Sequence, residues 1–202
     1  MDILQLIQHN GLSEVISIPS SSIVIPSLFN YPQLSRVNPN KLTHNFIQIK
    51  SDSHRQWMGL VRELILNSFR NATDKEMIII VDCAYQFGNK ELPNSFLFSI
   101  YKELWLENGV SVTEAFFKRI LVLRDFDSLK DVNDLLEHLL ERIPENFRDY
   151  QLGTVVVSNT SIFYWSLRND GDNETLKKFY KNCQLVSQNF HCPIISCQHT
   201  LN

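Results

Sequence analysis

Glycine is scarce in this chain, with six in 202 residues. None falls in the stretch 49–58, IKSDSHRQWM, so that stretch has no residue suited to the left-handed turns of a phosphate-cradling loop. Long apolar runs are absent too. No run approaches the ~20 residues that a helix needs to cross a bilayer. The first residues, MDILQLIQHN, carry no basic region, so no secretory signal is expected. Cysteine is present but unpaired in pattern: Cys83, Cys183, Cys192 and Cys197 show no zinc-type spacing. No structural metal is therefore expected, and the thiols read as reduced, as in a cytosolic or nuclear protein. Excess charge of either sign is also missing. The net charge is −3 and the pI about 6.1, so no global positive field points to nucleic acid. No Gly-x-Ser-x-Gly turn occurs, and His44, His54, His191 and His199 pair with no nucleophile at a recognisable spacing.

What remains is a rhythm. Residues 1–45 form an irregular lead with a short helix over 2–9 and two apolar runs, 15–18 and 23–25, bounded by Pro19, Pro26 and serines. These runs suit either strand addition to a partner or folding onto the chain's own sheet edge. From 46 onward strands and helices alternate. Strands are expected over 46–49, 77–81, 120–123, 155–157 and 193–196, and helices over 57–69, 95–107, 113–117, 128–142 and 173–189. In the fourth helix Ser128 is the expected N-cap and Leu129, Val132, Leu135, Leu136, Leu139 and Leu140 form one stripe. The runs Ile78–Ile80 and Val155–Val157 are β-branched, as strands buried on both faces require. The pattern predicts an α/β domain over 46–202, a mostly parallel sheet with helices on both faces. Trp57, Trp105 and Trp165 read as core or interface aromatics.

Four segments then resemble one family in order and interval. They are IIIVDCAYQF (78–87), RILVLRDF (119–126), VVVSNTSIFYW (155–165) and HCPIISCQHT (191–200). Together they are similar to the ATPase core of RecA-like recombinases, and within it to the eukaryotic paralogues that help load the main recombinase onto single-stranded DNA. The resemblance implies a RecA-like fold with a degenerate P-loop NTPase core. The family's second DNA loop and closing strands would follow Asn202, so the resemblance implies either a C-terminally shortened paralogue or a fragment of a longer chain.

The departures from the family carry the functional expectation. Arg55 or Gln56 falls near the phosphate-loop lysine and Trp57 near the Mg²⁺-binding hydroxyl. Asp52 adds negative charge there. Ala84 stands where the family has its water-activating glutamate, and a methyl group moves no proton. Ser158 replaces the Walker B aspartate. With three parts of one site changed, the expectation is no ATPase, no bound cofactor and no metal. Gln198 matches a family glutamine that couples phosphate to DNA, but reads here as a strand-end residue. Asp82 also matches a family position and is given no catalytic role. Phe69-Arg70-Asn71-Ala72 spells the family's polymerisation contact but falls at a helix end, and is taken as chance.

The family's first DNA loop corresponds to 164–174. There Trp165 or Tyr164 is placed to stack a base and Arg168 to meet a phosphate, although Asp170, Asp172 and Glu174 make the segment acidic. Lys177, Lys178 and Lys181 on the next helix are the better phosphate candidates, or else a solvated face. Lys118, Arg119 and Arg124 form a weaker cluster. Similarity to the fungal Shu-type complexes then implies a structural subunit in homologous recombination, located in the nucleus. Its partners would be other RecA-like paralogues, a SWIM-domain protein, the main recombinase and, within the complex, single-stranded DNA. Two alternatives stay open: an NTPase completed by a partner, and a scaffold outside DNA repair.

Overall fold

The computed structural model describes residues 46–51, 53–71, 75–88, 94–108, 111–141 and 150–199. The expected lead over 1–45, Asp52, Ala72, Arg142 and everything from 200 onward lie outside them.

Among the described residues five strands form one sheet in which every pairing is parallel. They are β1 (Phe46–Ser51), β2 (Glu76–Val81), β3 (Ile120–Leu123), β4 (Gln151–Val157) and β5 (Ile194–His199), laid out in the order β1-β5-β4-β2-β3. Parallel neighbours need crossover connections, and helices supply them. These are α1 (His54–Asn71), α2 (Phe96–Asn108), α3 (Ser111–Arg119), α4 (Leu129–Glu141), the short α5 (Tyr164–Asn169) and α6 (Asn173–Phe190).

The period of two along β2 divides the core. Ile78 and Ile80 join Leu60, Leu64, Leu97, Ile100 and Phe116, so α1, α2 and α3 cover that face. Met77, Ile79 and Val81 join Val132, Leu136, Phe179 and Val186, so α4 and α6 cover the other. All six residues of β2 are buried, Met77–Val81 as an unbroken apolar run predicts and Glu76 with them. The sheet thus has helices on both faces, as the alternation implied.

Several expected boundaries move: α1 begins at His54 rather than Trp57, and β5 runs to His199 rather than Ser196. β4 begins at Gln151 rather than Val155. Gly153 hides this extension: Met77 pairs with Leu152 and Ile78 with Thr154, leaving Gly153 as the extra residue of a bulge. Thr154 is buried there and its Oγ1 donates to the Pro193 carbonyl at 2.9 Å. The segment 164–174, read as a loop, contains the helix α5, preceded by a 3₁₀ turn over Thr160–Phe163. Phe163, 5% exposed, anchors that turn in the core, which a free loop would not do.

At α4 the expected cap is present. Ser128 Oγ accepts from the Asp131 N–H at 3.3 Å, and the Asp131 carboxylate accepts from the Ser128 N–H at 2.8 Å.

Candidate functional site: the carboxyl edge of the sheet

Because all strands run the same way, their carboxyl ends gather at one edge, where open α/β sheets bind ligands. Four connections meet there.

After β1 only residues 52 and 53 intervene before α1. Ser53 Oγ accepts from the Gln56 N–H at 3.3 Å, and the Ser53 carbonyl accepts from the Trp57 N–H at 3.2 Å. The first turn of α1 is therefore capped by the chain itself. Arg55 and Gln56 point to solvent, while Trp57 is fully buried in the core beneath. A two-residue link is too short to wrap a phosphate, which in a glycine-rich loop is ringed by several successive N–H groups.

After β2 comes Asp82, fully buried. Its Oδ1 accepts from the Gln86 N–H at 2.8 Å and from Ser158 Oγ at 3.4 Å. Its Oδ2 accepts from the Phe87 N–H at 3.2 Å and from Arg124 Nε at 3.2 Å. Arg124 follows β3 and also donates to the Gly88 carbonyl. Gly88 must be glycine: its φ is +66° and a Cβ would sit 2.8 Å from Ser95 Cβ. A single carboxylate thus ties the ends of β2, β3 and β4 together. With four donors on two oxygens, it is filled.

Ser158 reinforces that joint, since its N–H donates to the Val81 carbonyl at 2.9 Å. Ala84 is half-buried in the turn that Asp82 holds. Beside it Tyr85 and Asp125 both adopt left-handed backbone, φ 53° and 67°, with Tyr85 Oη donating to Asp125 Oδ1 at 2.5 Å. That bond pushes the Tyr85 phenol above its ordinary pKa. Burial, with the Asp82 charge in second place, pushes the Cys83 thiol up to about 12. Burial raises Cys197 to about 12 as well and drives Cys183 and Cys192 upward. None of the four is a ready thiolate. Among the described residues no three His, Cys, Asp or Glu side chains come together as a metal site would require, and no helix is long and apolar enough to cross a membrane.

After β4 the chain is open. Trp165 is 58% exposed, and its ring meets Tyr164 edge-on at 5.2 Å. The Arg168 guanidinium lies 5.6 Å from the Trp165 ring centre and donates to Tyr164 Oη at 3.2 Å. A cavity of about 390 Å³ opens behind them, between α5, the start of α6 and Leu129 of α4. Asp172 caps α6, accepting from the Thr175 N–H at 2.9 Å and from Thr175 Oγ1 at 2.5 Å. Those bonds hold its carboxyl below the ordinary range.

The expected phosphate-binding lysines separate. Lys177 pairs with Glu174 at 2.6 Å and Lys178 with Glu137 at 3.0 Å, which lowers the Glu137 pKa. Lys181 is exposed and joins no ion pair among the described residues. Trp165 and Arg168 sit together on α5, and the lysines follow on α6. The second basic cluster does not form. Arg119 is 1% exposed, donating to the Glu76 carbonyl at 2.6 Å and to Ser68 Oγ at 3.1 Å, over the Phe69 ring at 4.3 Å. Arg124 is turned inward to Asp82, leaving Lys118 outside. The strand position of Gln198 pairs with Lys50 of β1.

Sequence reasoning missed the Asp82–Arg124 joint. Its only trace was a charge directly after each of two apolar strands. The cavity left one trace, the Asp-Asn-Glu-Thr start of α6, whose acidic cap places a carboxylate at the cavity wall. No family model matches the chain, and no curated protein is significantly similar to it.

Proposed function

We propose that this chain is a non-catalytic, RecA-like subunit of a recombinase-paralogue complex of the Shu type, acting in homologous recombination in the nucleus. The all-parallel sheet flanked by helices is compatible with a RecA-like core, and the four segment resemblances supply the family. The observation that carries the non-catalytic part is the two-residue link between β1 and α1, with Trp57 buried in the first helical turn. In the family that link cradles phosphate. Here its cap is internal. Asp82 and Ser158, at the other ends of the would-be site, are spent on each other and on Arg124. In this reading the subunit works as a rigid piece that binds neighbouring paralogues, a SWIM-domain protein and the main recombinase. Single-stranded DNA is met within the assembly, through Trp165, Arg168 and the α6 lysines.

Affinity purification of the tagged protein at mild salt, with partners identified by mass spectrometry, tests the reading. Recovery of RecA-like paralogues and a SWIM-domain protein is the expected result. Recovery of the chain alone, or with unrelated proteins only, overturns it. A thermal melt of the recovered complex with Mg-ATP is expected to match the melt without it. A nucleotide-dependent rise would instead favour an NTPase completed by a partner.

A further inference from the structure

Arg168 lines the cavity between α5 and α6, and its guanidinium lies 5.6 Å from the centre of the exposed Trp165 ring. The cavity, about 390 Å³, is within the size range of small-ligand pockets. Leu129, Leu167 and Leu176 give it apolar surface, and Tyr164 and Tyr180 give it aromatic surface. Charge is balanced along its walls. One carboxylate, Asp172, and one guanidinium, Arg168, line it, and Lys130 acts on Asp172 from nearby. A charged group entering the interior would meet no net counter-charge, whereas a neutral flat group with polar edges fits.

The hydrogen-bonding capacity of the walls is only partly used. Asp172 accepts from the Thr175 N–H, from Thr175 Oγ1 and from the Glu174 N–H. Three donors on two carboxylate oxygens leave one acceptor site open. Tyr180 Oη accepts from Gln48 Nε2 at 3.1 Å, and Tyr164 Oη accepts from Arg168 at 3.2 Å, so each phenol keeps its own proton to donate. The Tyr180 ring is fixed by Phe46 and Phe179, with ring centres 5.9 and 5.7 Å away. One strong acceptor and two donors therefore surround aromatic surface. Cytosine matches that set. Its exocyclic amino group gives to a carboxylate, and its ring acceptors take from a phenol. Thymine has a carbonyl where cytosine has the amino group.

On the reading that Trp165 and Arg168 meet single-stranded DNA, we propose that this cavity receives one unstacked base of the strand and favours cytosine over thymine. The neighbouring base stacks on Trp165, and the phosphate between the two meets Arg168. A single strand gives up one base at little cost, because no base pair has to open.

The test uses the full chain, labelled for amide NMR at low salt, and three trinucleotides: dT-dC-dT, dT-dT-dT and a strand with an abasic centre between two thymidines. dT-dC-dT is expected to shift amide signals within 160–180 and to bind about fivefold or more tightly than either other strand. Asp172→Asn keeps a good helix cap and is expected to abolish the preference for dT-dC-dT over dT-dT-dT. Leu176→Trp fills the cavity and is expected to bring dT-dC-dT down to the affinity of the abasic strand. Equal binding of dT-dC-dT and either other strand overturns the proposal, and shifts at Trp165 and Arg168 in that case leave the DNA contact itself intact. A preference that survives both variants overturns it as well. The absence of shifts with every strand overturns both the pocket and the contact on which it rests. Deoxycytidine monophosphate that binds as tightly as dT-dC-dT also overturns it, and makes the cavity a site for a free nucleotide.

Discussion

Asp82 and Asp172 are both carboxylates that accept backbone N–H groups near the carboxyl edge of the same sheet, yet they end in opposite situations. Asp82 is fully buried and is met by two N–H groups, a hydroxyl and a guanidinium. Asp172 is half-buried, held by Thr175 and the Glu174 N–H, and lines an open cavity. The difference comes from what each connection must do. The β2 connection lies between β4 and β3 and must join three strand ends in the interior. The β4 connection runs out over the surface into α5 and α6. A charge placed in the interior is retained only with partners on every side. A charge on the rim is left with lone pairs for an incoming group. The same residue type therefore seals one connection at this edge and leaves another open.

The largest effect is expected from Asp82→Ala. It strands the Arg124 side chain and the Gln86 and Phe87 N–H groups, and should cost about 3–5 kcal/mol, read by urea denaturation. A loss under about 1 kcal/mol would mean that the joint is not closed, because a solvated carboxylate gives only that much.

Next comes pH. The Cys83 and Cys197 thiols have folded pKa values of about 12 against an ordinary 9.0. Above pH 9.0 the unfolded chain loses these protons and the folded chain keeps them, so unfolding is favoured as pH rises. Their contribution is whole below pH 9.0 and is lost on the way to about 12. The unfolding free energy read by urea titration should fall over that window, by about 1.4 kcal/mol per thiol per pH unit at most. Replacing both cysteines by alanine should flatten the slope. An unchanged slope would place the thiols in contact with water.

A smaller loss follows from Gly88→Ala. The left-handed backbone and the contact with Ser95 together should cost about 1–3 kcal/mol in the same assay. The smallest effect belongs to the open side. Asp172→Ala removes a helix cap worth about 0.5–2 kcal/mol, and it should leave the thermal unfolding cooperative. If Asp172→Ala cost as much as Asp82→Ala, the contrast between a sealed and an open connection would fail.

Much of this organisation was written in the chain. The apolar periods located every described strand and major helix, and Ser128 marked the start of α4 before any coordinate did. The unbroken apolar run at Ile78–Ile80 marked a buried strand, and the fold decided which of its side chains meet which helices. The limits were equally physical. Gly153 concealed half of β4, because a bulge breaks alternation. The helix α5 was hidden because six residues carry too little pattern to outweigh Asn169, Asp170 and Gly171.

The sequence by itself determined the alternation of strands and helices, the lack of a glycine-rich loop after β1, and the residues facing the core, since these depend on neighbours a few positions apart. Only the tertiary structure decided that Arg119 and Arg124 turn inward, that Asp82 is filled, and that Asp172 borders a cavity. Each of those outcomes pairs groups some forty or more positions apart, or sets a loop against a helix from another part of the chain. The free energy of a charge depends on what surrounds it in space, and no local pattern of residues carries that information.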